Sequence, residues 1–175
     1  MRKVHIYKNL EQLNKLPVNK AKAVFLDCCG SSEWAQRMAQ QRPFPMVENL
    51  FTSAENTWFA LSSADHLEAF ASHPKIGSTN AAPTQKAKSA KWSSDEQSGM
   101  HVAEEKTKSE LSQANRLYLE KFGFIFIVCA TGKSADEMLA ICRARLRNSL
   151  ATELQIAAEE QRKITEIRLS KLLEK

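Results

Sequence analysis

Apolar residues recur along the chain at steps of three and four, a spacing that places them on one side of a helix. The clearest such stripe is formed by Val47, Leu50, Phe51, Ala54, Trp58 and Leu61. Comparable patterns predict further helices over residues 19–29, 32–41, 65–72, 93–123, 135–146 and 152–172. We therefore expect an all-α fold, in which about seven or eight helices form a single compact domain over residues 1–175.

Residues that cap and end helices mark several boundaries of these segments. Gly30 and Gly123 each follow an apolar stripe, and glycine is the residue that most often ends a helix. Ser134, with Glu137 three residues later, predicts a capping box in which each side chain bonds the other residue's backbone N–H. Asp65 and Thr152 are predicted to cap the helices that they open.

Two segments depart from the helical pattern. Residues 77–92 are rich in Ser, Thr, Asn, Ala and Lys and show no periodicity, so we expect a long loop, and such loops are usually functional or disordered. Phe124–Ala130 is continuously apolar and typical of a buried strand. Because no other segment predicts a strand to pair with it, we expect a buried extended connection. Its N–H and C=O groups must find other partners, which makes this backbone a candidate ligand-binding surface.

The charge balance leaves two kinds of partner open. The formal net charge is +5, which suits either a small anionic substrate or a basic helical module that binds nucleic acid or an acidic protein. Most lysines are interspersed with acidic residues, and aromatic residues are not placed among them as a base-stacking surface would require. The exception is Lys86, Lys88 and Lys91, just before Trp92. We expect no nucleic acid partner.

Cysteine usage and the N-terminus favour a cytoplasmic protein. The four cysteines are expected to be reduced, buried apolar residues: Cys28, Cys29, Cys129 and Cys142. No spacing of His or Cys matches a metal site, so we predict none. The longest apolar run is too short to span a bilayer, and residues 1–5 lack the apolar core of a signal peptide. We expect no membrane partner.

His73 differs from the other histidines in its position. Pro74 follows it and pushes the preceding residue out of helical geometry, so a helix must end at His73. Gly77 then lets the chain turn into the long loop. This arrangement can present an imidazole from the end of a rigid element into a cleft.

His73 also belongs to a series of short motifs that extends along nearly the whole chain. These motifs are His73-Pro74-Lys75-Ile76-Gly77, Ser93-Ser94-Asp95-Glu96-Gln97-Ser98-Gly99, Phe122-Gly123-Phe124-Ile125-Phe126 and Ile164-Thr165-Glu166-Ile167-Arg168-Leu169, preceded by Trp34-Ala35-Gln36-Arg37-Met38 and Gln41-Arg42-Pro43-Phe44. Together they strongly resemble the family of 2-oxo-4-hydroxy-4-carboxy-5-ureidoimidazoline (OHCU) decarboxylases. The Lys75-Ile76-Gly77 segment looks closer to a bacterial branch of that family than to its animal members.

The resemblance implies a fold, a reaction and an assembly. The family's fold is all-α, and its members are usually homodimers. They remove CO2 from OHCU to give (S)-allantoin in urate degradation, without a metal or an organic cofactor. The carbon that loses CO2 lies next to a C=N bond of the substrate, so the substrate itself accepts the electrons that are left behind.

The resemblance also implies roles for three residues. His73 matches the family's essential histidine and would handle a proton near neutral pH. Glu96 matches the acidic partner, and either residue can deliver the final proton. Arg168 matches an arginine whose planar guanidinium suits a carboxylate. A member that has lost catalysis would be free to lose any of the three, so their joint presence favours an active enzyme.

A second set of residues is implied to bind the substrate. The family places side chains or backbone groups against the ureido and ring amides at positions that match Pro74, Ser93, Gln97, Phe126, Ile127, Val128, Cys129 and Ala130. The last five form most of the apolar segment whose backbone groups need partners. The resemblance and the sequence pattern therefore indicate the same stretch of backbone.

Overall fold

A computed structural model describes residues 2–77 and 87–174, which are helical apart from short connections. The helices are α1 (Arg2–Lys15), α2 (Val18–Cys29), α3 (Ser32–Gln40), α4 (Val47–Phe59), α5 (Ser63–Ala71), α6 (Ala87–Glu96), the 3-10 turn η1 (Ser98–Met100), α7 (Glu105–Phe122), α8 (Ala135–Arg145) and α9 (Leu150–Leu173). The all-α prediction is confirmed. None of the described helices combines the length and apolarity that crossing a membrane requires.

The expected seven or eight helices are too few, because nine α-helices lie in the described ranges. Helix α1, which buries Leu10 and Leu13, was not predicted. The single helix predicted over 93–123 is instead divided into α6, η1 and α7. Residues 87–92, predicted as loop, open α6, while residues 78–86 of that predicted loop lie outside the described part of the chain.

Most helix ends follow the predicted local chemistry. Gly30 and Gly123 end α2 and α7 with φ of 87° and 77°, a conformation that glycine adopts without steric cost. Ser134 and Glu137 form the predicted capping box. The caps predicted at Asp65 and Thr152 are wrong by one turn, since the backbone N–H groups of these residues donate to the hydroxyls of two earlier serines, Ser62 and Ser149. A short polar residue at the third helical position is easily mistaken for the cap that it faces.

The helices divide into two compact units. The terminal unit contains residues 1–68 and 162–175. In its core the rings of Phe25 and Trp34 meet edge to face, with centroids 5.8 Å apart, and the indole N–H of Trp34 donates to the carbonyl of Ala54 at 3.0 Å. The expectation of a single domain over residues 1–175 stays a prediction.

The central unit contains residues 69–161. Its aromatic core gathers around Tyr118, whose ring lies 5.8 Å from that of Phe124 and 5.4 Å from that of Phe126. Both phenylalanines belong to the apolar connection between α7 and α8, which has no regular secondary structure. Apart from the half-buried Ile125, every residue from Phe124 to Ala130 is buried, so the predicted buried connection is confirmed.

Candidate active site

His73 lies at a helix end in the central unit. Helix α5 stops at Ala71, the N–H of His73 still donates to the carbonyl of Phe70 at 3.2 Å, and Pro74 follows, as the sequence predicts. The imidazole is buried, and its Nε2 lies 2.6 Å from Oε1 of Gln161 on α9. Gln161 is fully buried and was not identified from the sequence.

Helix α6 presents a buried stripe that is mostly polar. Four residues follow one another at helical spacing and are all buried: Ser89, Trp92, Ser93 and Glu96. A carboxyl group is seldom buried in this way unless it has a partner or a function. Apolar periodicity does not predict this stripe, because three of its four residues are polar. Two of them, Ser93 and Glu96, are residues to which the family resemblance assigns a role.

Glu96 is close to the apolar connection between α7 and α8. Burial raises the pKa of the Cys129 thiol, and the negative charges of Glu160 and Glu96 raise it further, while Lys133 opposes them. Such electrostatic influence places the Glu96 carboxylate near Cys129. Glu160 also accepts a hydrogen bond from the N–H of Cys129 at 2.7 Å.

The backbone of the apolar connection is fixed by three side chains. The guanidinium of Arg145 donates to the carbonyl of Ile127 at 2.7 Å, and the ammonium of Lys133 donates to the carbonyl of Cys129 at 2.7 Å. With Glu160 on its N–H, Cys129 therefore has both backbone groups engaged. By contrast, the N–H and C=O groups of Phe126 and Val128 hydrogen-bond to no described residue, although both residues are buried. Buried peptide groups of this kind can receive a ligand.

Successive residues of α9 hold two parts of the site together. Gln161 contacts His73, and the preceding Glu160 contacts Cys129, near which Glu96 lies. Hydrogen bonds of α9 thus engage both the histidine and the apolar connection, and the Glu96 carboxylate acts electrostatically on the same connection. This constellation offers an acid–base pair beside backbone donors and acceptors, which suits a substrate that carries several amide groups.

Two further residues of the central unit were predicted to bind substrate, Pro74 and Gln97. Both are only partly buried. Pro74 is half-buried, and the side-chain oxygen of Gln97 accepts a hydrogen bond from the N–H of Gly77 at 2.9 Å. The carbonyl of Ile76 accepts from Asn115 at 3.1 Å. The turn that follows His73 is thereby anchored to the residues just beyond α6 and to α7.

Arg168 belongs to the terminal unit. Its side chain is 2% exposed, and its charge lowers the pKa of the nearby Cys29 thiol, although burial outweighs it and raises that pKa to about 12. Thr165 also hydrogen-bonds this thiol. A buried guanidinium is costly unless it is paired or used, so its position is consistent with a functional role. The predicted roles of His73, Glu96 and Arg168 stay predictions.

The basic group before Trp92 does not form a base-stacking surface. Trp92 is 3% exposed, and the ammonium of Lys88 lies over its ring, 4.8 Å from the centroid. Lys91 is exposed, and Lys86 lies outside the described residues. A buried indole cannot stack on a nucleic acid base. The lysines before Trp92 therefore do not favour a nucleic acid partner.

The four cysteines are all buried and free of disulfide bonds, which confirms their predicted state. Burial raises the pKa of the Cys142 thiol to about 11, so both Cys142 and Cys29 remain protonated at neutral pH. Thiols of this kind are poor nucleophiles and behave as small apolar side chains.

The described part of the chain is an all-α fold whose central unit buries a histidine, His73, and a carboxylate, Glu96. The chain belongs to the OHCU decarboxylase family, which it matches over residues 14–170. A crystal structure of an OHCU decarboxylase determined in the presence of (S)-allantoin matches the fold with a TM-score of 0.75 and 38% sequence identity, over 86% of this chain and 97% of the other.

Relatives from a plant and an archaeon extend the comparison. The chain is 44% identical over 147 residues to the uric acid degradation bifunctional protein TTL of Arabidopsis thaliana, which covers 83% of this chain and 45% of that protein. It is 27% identical to the 2-oxo-4-hydroxy-4-carboxy-5-ureidoimidazoline decarboxylase of Haloferax volcanii, over 92% of this chain and 94% of that protein. The chain spans less than half the length of the bifunctional relatives that it matches.

Proposed function

We propose that this protein catalyses the decarboxylation of OHCU to (S)-allantoin in urate degradation, without a metal or an organic cofactor. The observation that carries the proposal is the open backbone of Phe126 and Val128, buried in the same unit as His73 and Glu96. The ureido group and ring of OHCU present N–H and C=O groups that such a backbone can bind. The match to a decarboxylase structure determined with (S)-allantoin supports the same substrate class.

The proposed reaction breaks one carbon–carbon bond. CO2 leaves, and the bonding electron pair passes into the adjacent C=N bond of the imidazoline ring, so the substrate acts as its own electron acceptor. The carbon that lost CO2 becomes a ring carbonyl as its hydroxyl gives up its proton, and a proton adds from one face to the neighbouring carbon of the former C=N bond, which bears the ureido group. This gives a single enantiomer of allantoin. His73 and Glu96 supply the proton-transfer groups, and the backbone of the apolar connection holds the ring in a fixed orientation.

Replacing His73 with alanine tests this proposal most directly. We expect the enzymatic rate to fall by about a hundred- to ten-thousandfold, the usual contribution of a positioned acid or base, while the helical circular dichroism is unchanged. The assay generates OHCU from urate enzymatically and follows the optical activity of the allantoin formed. His101→Ala, at an exposed histidine, is the matched control and should keep the full rate. Near-normal turnover by His73→Ala would contradict the proposed role.

Glu96→Gln separates bond breaking from protonation. If Glu96 delivers the final proton, the variant should still release CO2 faster than the spontaneous reaction, but the allantoin should be partly or wholly racemic. If His73 delivers it, Glu96→Gln should slow CO2 release and leave the product enantiomerically pure. The measurement pairs CO2 release with chiral chromatography of the product.

The family resemblance supports a role for Arg168 and a homodimer, while the cysteine usage supports a cytoplasmic location. Arg168 contributes to catalysis, so Arg168→Lys should be costly because an ammonium cannot reproduce the planar pair of donors. An unchanged rate would mean that Arg168 serves only packing or pairing. We also propose a cytoplasmic homodimer; sedimentation at equilibrium and cell fractionation test the assembly and the location respectively.

A further inference from the structure

The contact between Gln161 and His73 bears on which nitrogen of the ring carries the proton, as well as on the position of the ring. An amide oxygen has no proton and can only accept a hydrogen bond. Because Oε1 of Gln161 lies 2.6 Å from Nε2 of His73, this contact is a hydrogen bond when that ring nitrogen carries the proton and donates it. A neutral imidazole has one protonated nitrogen, so Nδ1 is then the nitrogen with the lone pair.

The surroundings make this contact rigid. Gln161 is fully buried on α9, and the neighbouring Glu160 is bound to the backbone of Cys129. His73 is held on the other side by the end of α5 and by Pro74. Both side chains therefore extend from backbone that is itself held in place.

We propose that Gln161 is a positioning residue that fixes the orientation and tautomer of His73, so that the neutral ring accepts a proton at Nδ1 and nowhere else. This inference rests on the proposed function for its kinetic consequence, but not for the state of the ring in the resting protein. A histidine whose ring can turn, or whose proton can sit on either nitrogen, spends part of its time unable to act. By holding one orientation and one tautomer, the Gln161 amide keeps the ring ready to act before the substrate binds.

Nitrogen-15 NMR of the ring nitrogens tests the tautomer without any substrate. Histidine is labelled in the intact protein, and the His73 signals are identified by their absence from His73→Ala. At a pH where the ring is neutral, we expect the proton on Nε2. A proton on Nδ1, or an equal exchange between the two nitrogens, would overturn the proposal. This result is independent of whether the protein decarboxylates OHCU.

Gln161→Met tests whether the amide oxygen is what fixes the tautomer, since methionine has a similar length and no oxygen acceptor. We expect loss of the fixed tautomer in the spectrum and a fall in kcat of about ten- to a hundredfold, as is found for groups that orient metal-bound imidazoles, with little change in KM. Gln155→Met, at an exposed position of the same helix, is the control and should change neither. An unchanged tautomer and an unchanged kcat in Gln161→Met would refute the inference.

Gln161→Glu tests rescue by another acceptor. The carboxylate keeps an oxygen at the same place, so Nε2 should stay protonated, and its negative charge should move the titration of the His73 ring to higher pH. Loss of the Nε2 proton in this variant would count against the proposal. If the tautomer behaves as expected in all three proteins but no variant and no wild-type sample turns over OHCU, the proposed function fails while the assignment of the ring stands.

Discussion

The central unit contains two buried polar clusters that are built in opposite ways. In the first, the guanidinium of Arg145 donates to the carboxylate of Glu153 at 2.9 Å, to the hydroxyl of Tyr118 at 3.1 Å and to the carbonyl of Ile127 at 2.7 Å. Tyr118 in turn donates to Glu153, and Asn148 occupies the second carboxylate oxygen. In this cluster, which we call the Arg145 cluster, each of the charged groups has its partners within the protein.

The second cluster comprises His73, Gln161, Glu96 and the backbone of Phe126 and Val128. Here the buried peptide groups of the two apolar residues have no partner among the described residues, which is unfavourable for folding unless a ligand provides one. The two clusters meet at the apolar connection, because Arg145 holds Ile127, the residue between Phe126 and Val128. The Arg145 cluster therefore holds the connection at the residue between the two whose backbone groups have no partner among the described residues.

Arg145→Met should have the largest effect on stability. It removes the only cation that the described contacts place against Glu153, which is 0% exposed, so a carboxylate is left buried without its counter-charge. We expect a loss of about 3–5 kcal/mol in the free energy of unfolding, measured with urea. The double variant Arg145→Met with Glu153→Leu should recover part of this loss. If it is no more stable than the single variant, the ion pair is not what stabilises the connection.

Gly99→Ala should have an intermediate effect. A Cβ atom at this position would lie 2.2 Å from the carbonyl oxygen of Lys133, and a backbone oxygen cannot simply turn aside. We expect a loss of about 1–3 kcal/mol, as in other overpacked sites, together with a lower kcat because Glu96 lies just before the displaced turn. Ser98→Ala, at the exposed neighbouring residue, is the control. Equal activity and stability in both variants would show that the close approach has no consequence.

Tyr118→Phe should have the smallest effect of the three. It removes one hydroxyl from the Arg145 cluster and leaves the ion pair and the aromatic packing in place. Burial raises the pKa of this phenol, so the hydroxyl stays protonated and acts as a donor at neutral pH. We expect a loss of about 1.5 kcal/mol, near the lower end for hydrogen bonds to charged groups, with an unchanged kcat. If the fall in kcat, expressed as a free energy of activation, exceeds the loss in the free energy of unfolding, the two clusters are more strongly coupled than their geometry indicates.

Apolar periodicity predicted those helices whose buried side is apolar, and it missed the ones that bury polar residues. Helix α4 was predicted with nearly correct bounds, since Leu50, Ala54 and Trp58 form a regular apolar stripe. Most of α6 was taken for loop because its buried side consists of Ser89, Ser93 and Glu96 beside one tryptophan. A helix that buries polar side chains has no apolar stripe, so apolar periodicity does not predict it.

Two buried polar residues that the sequence analysis did not identify, Gln161 and Arg145, interrupt apolar stripes. Gln161 lies four residues after Ala157 and three before Ile164, so it occupies the apolar stripe of α9. Arg145 lies three residues after Cys142, so it occupies the apolar stripe of α8. A polar residue in an apolar stripe predicts a buried polar group that requires a partner, although it does not predict which partner.

By itself, the sequence determined the fold class, the buried connection, the helix end at His73 and the family, because these depend on local spacing, on proline and glycine geometry and on motifs in a fixed order. Only the tertiary structure decided that Gln161 contacts His73, 88 residues away along the chain, and that Arg145, Glu160 and Lys133 engage the backbone beside Phe126 and Val128. Hydrogen bonds between distant segments depend on how the helices pack, and no local pattern encodes that packing.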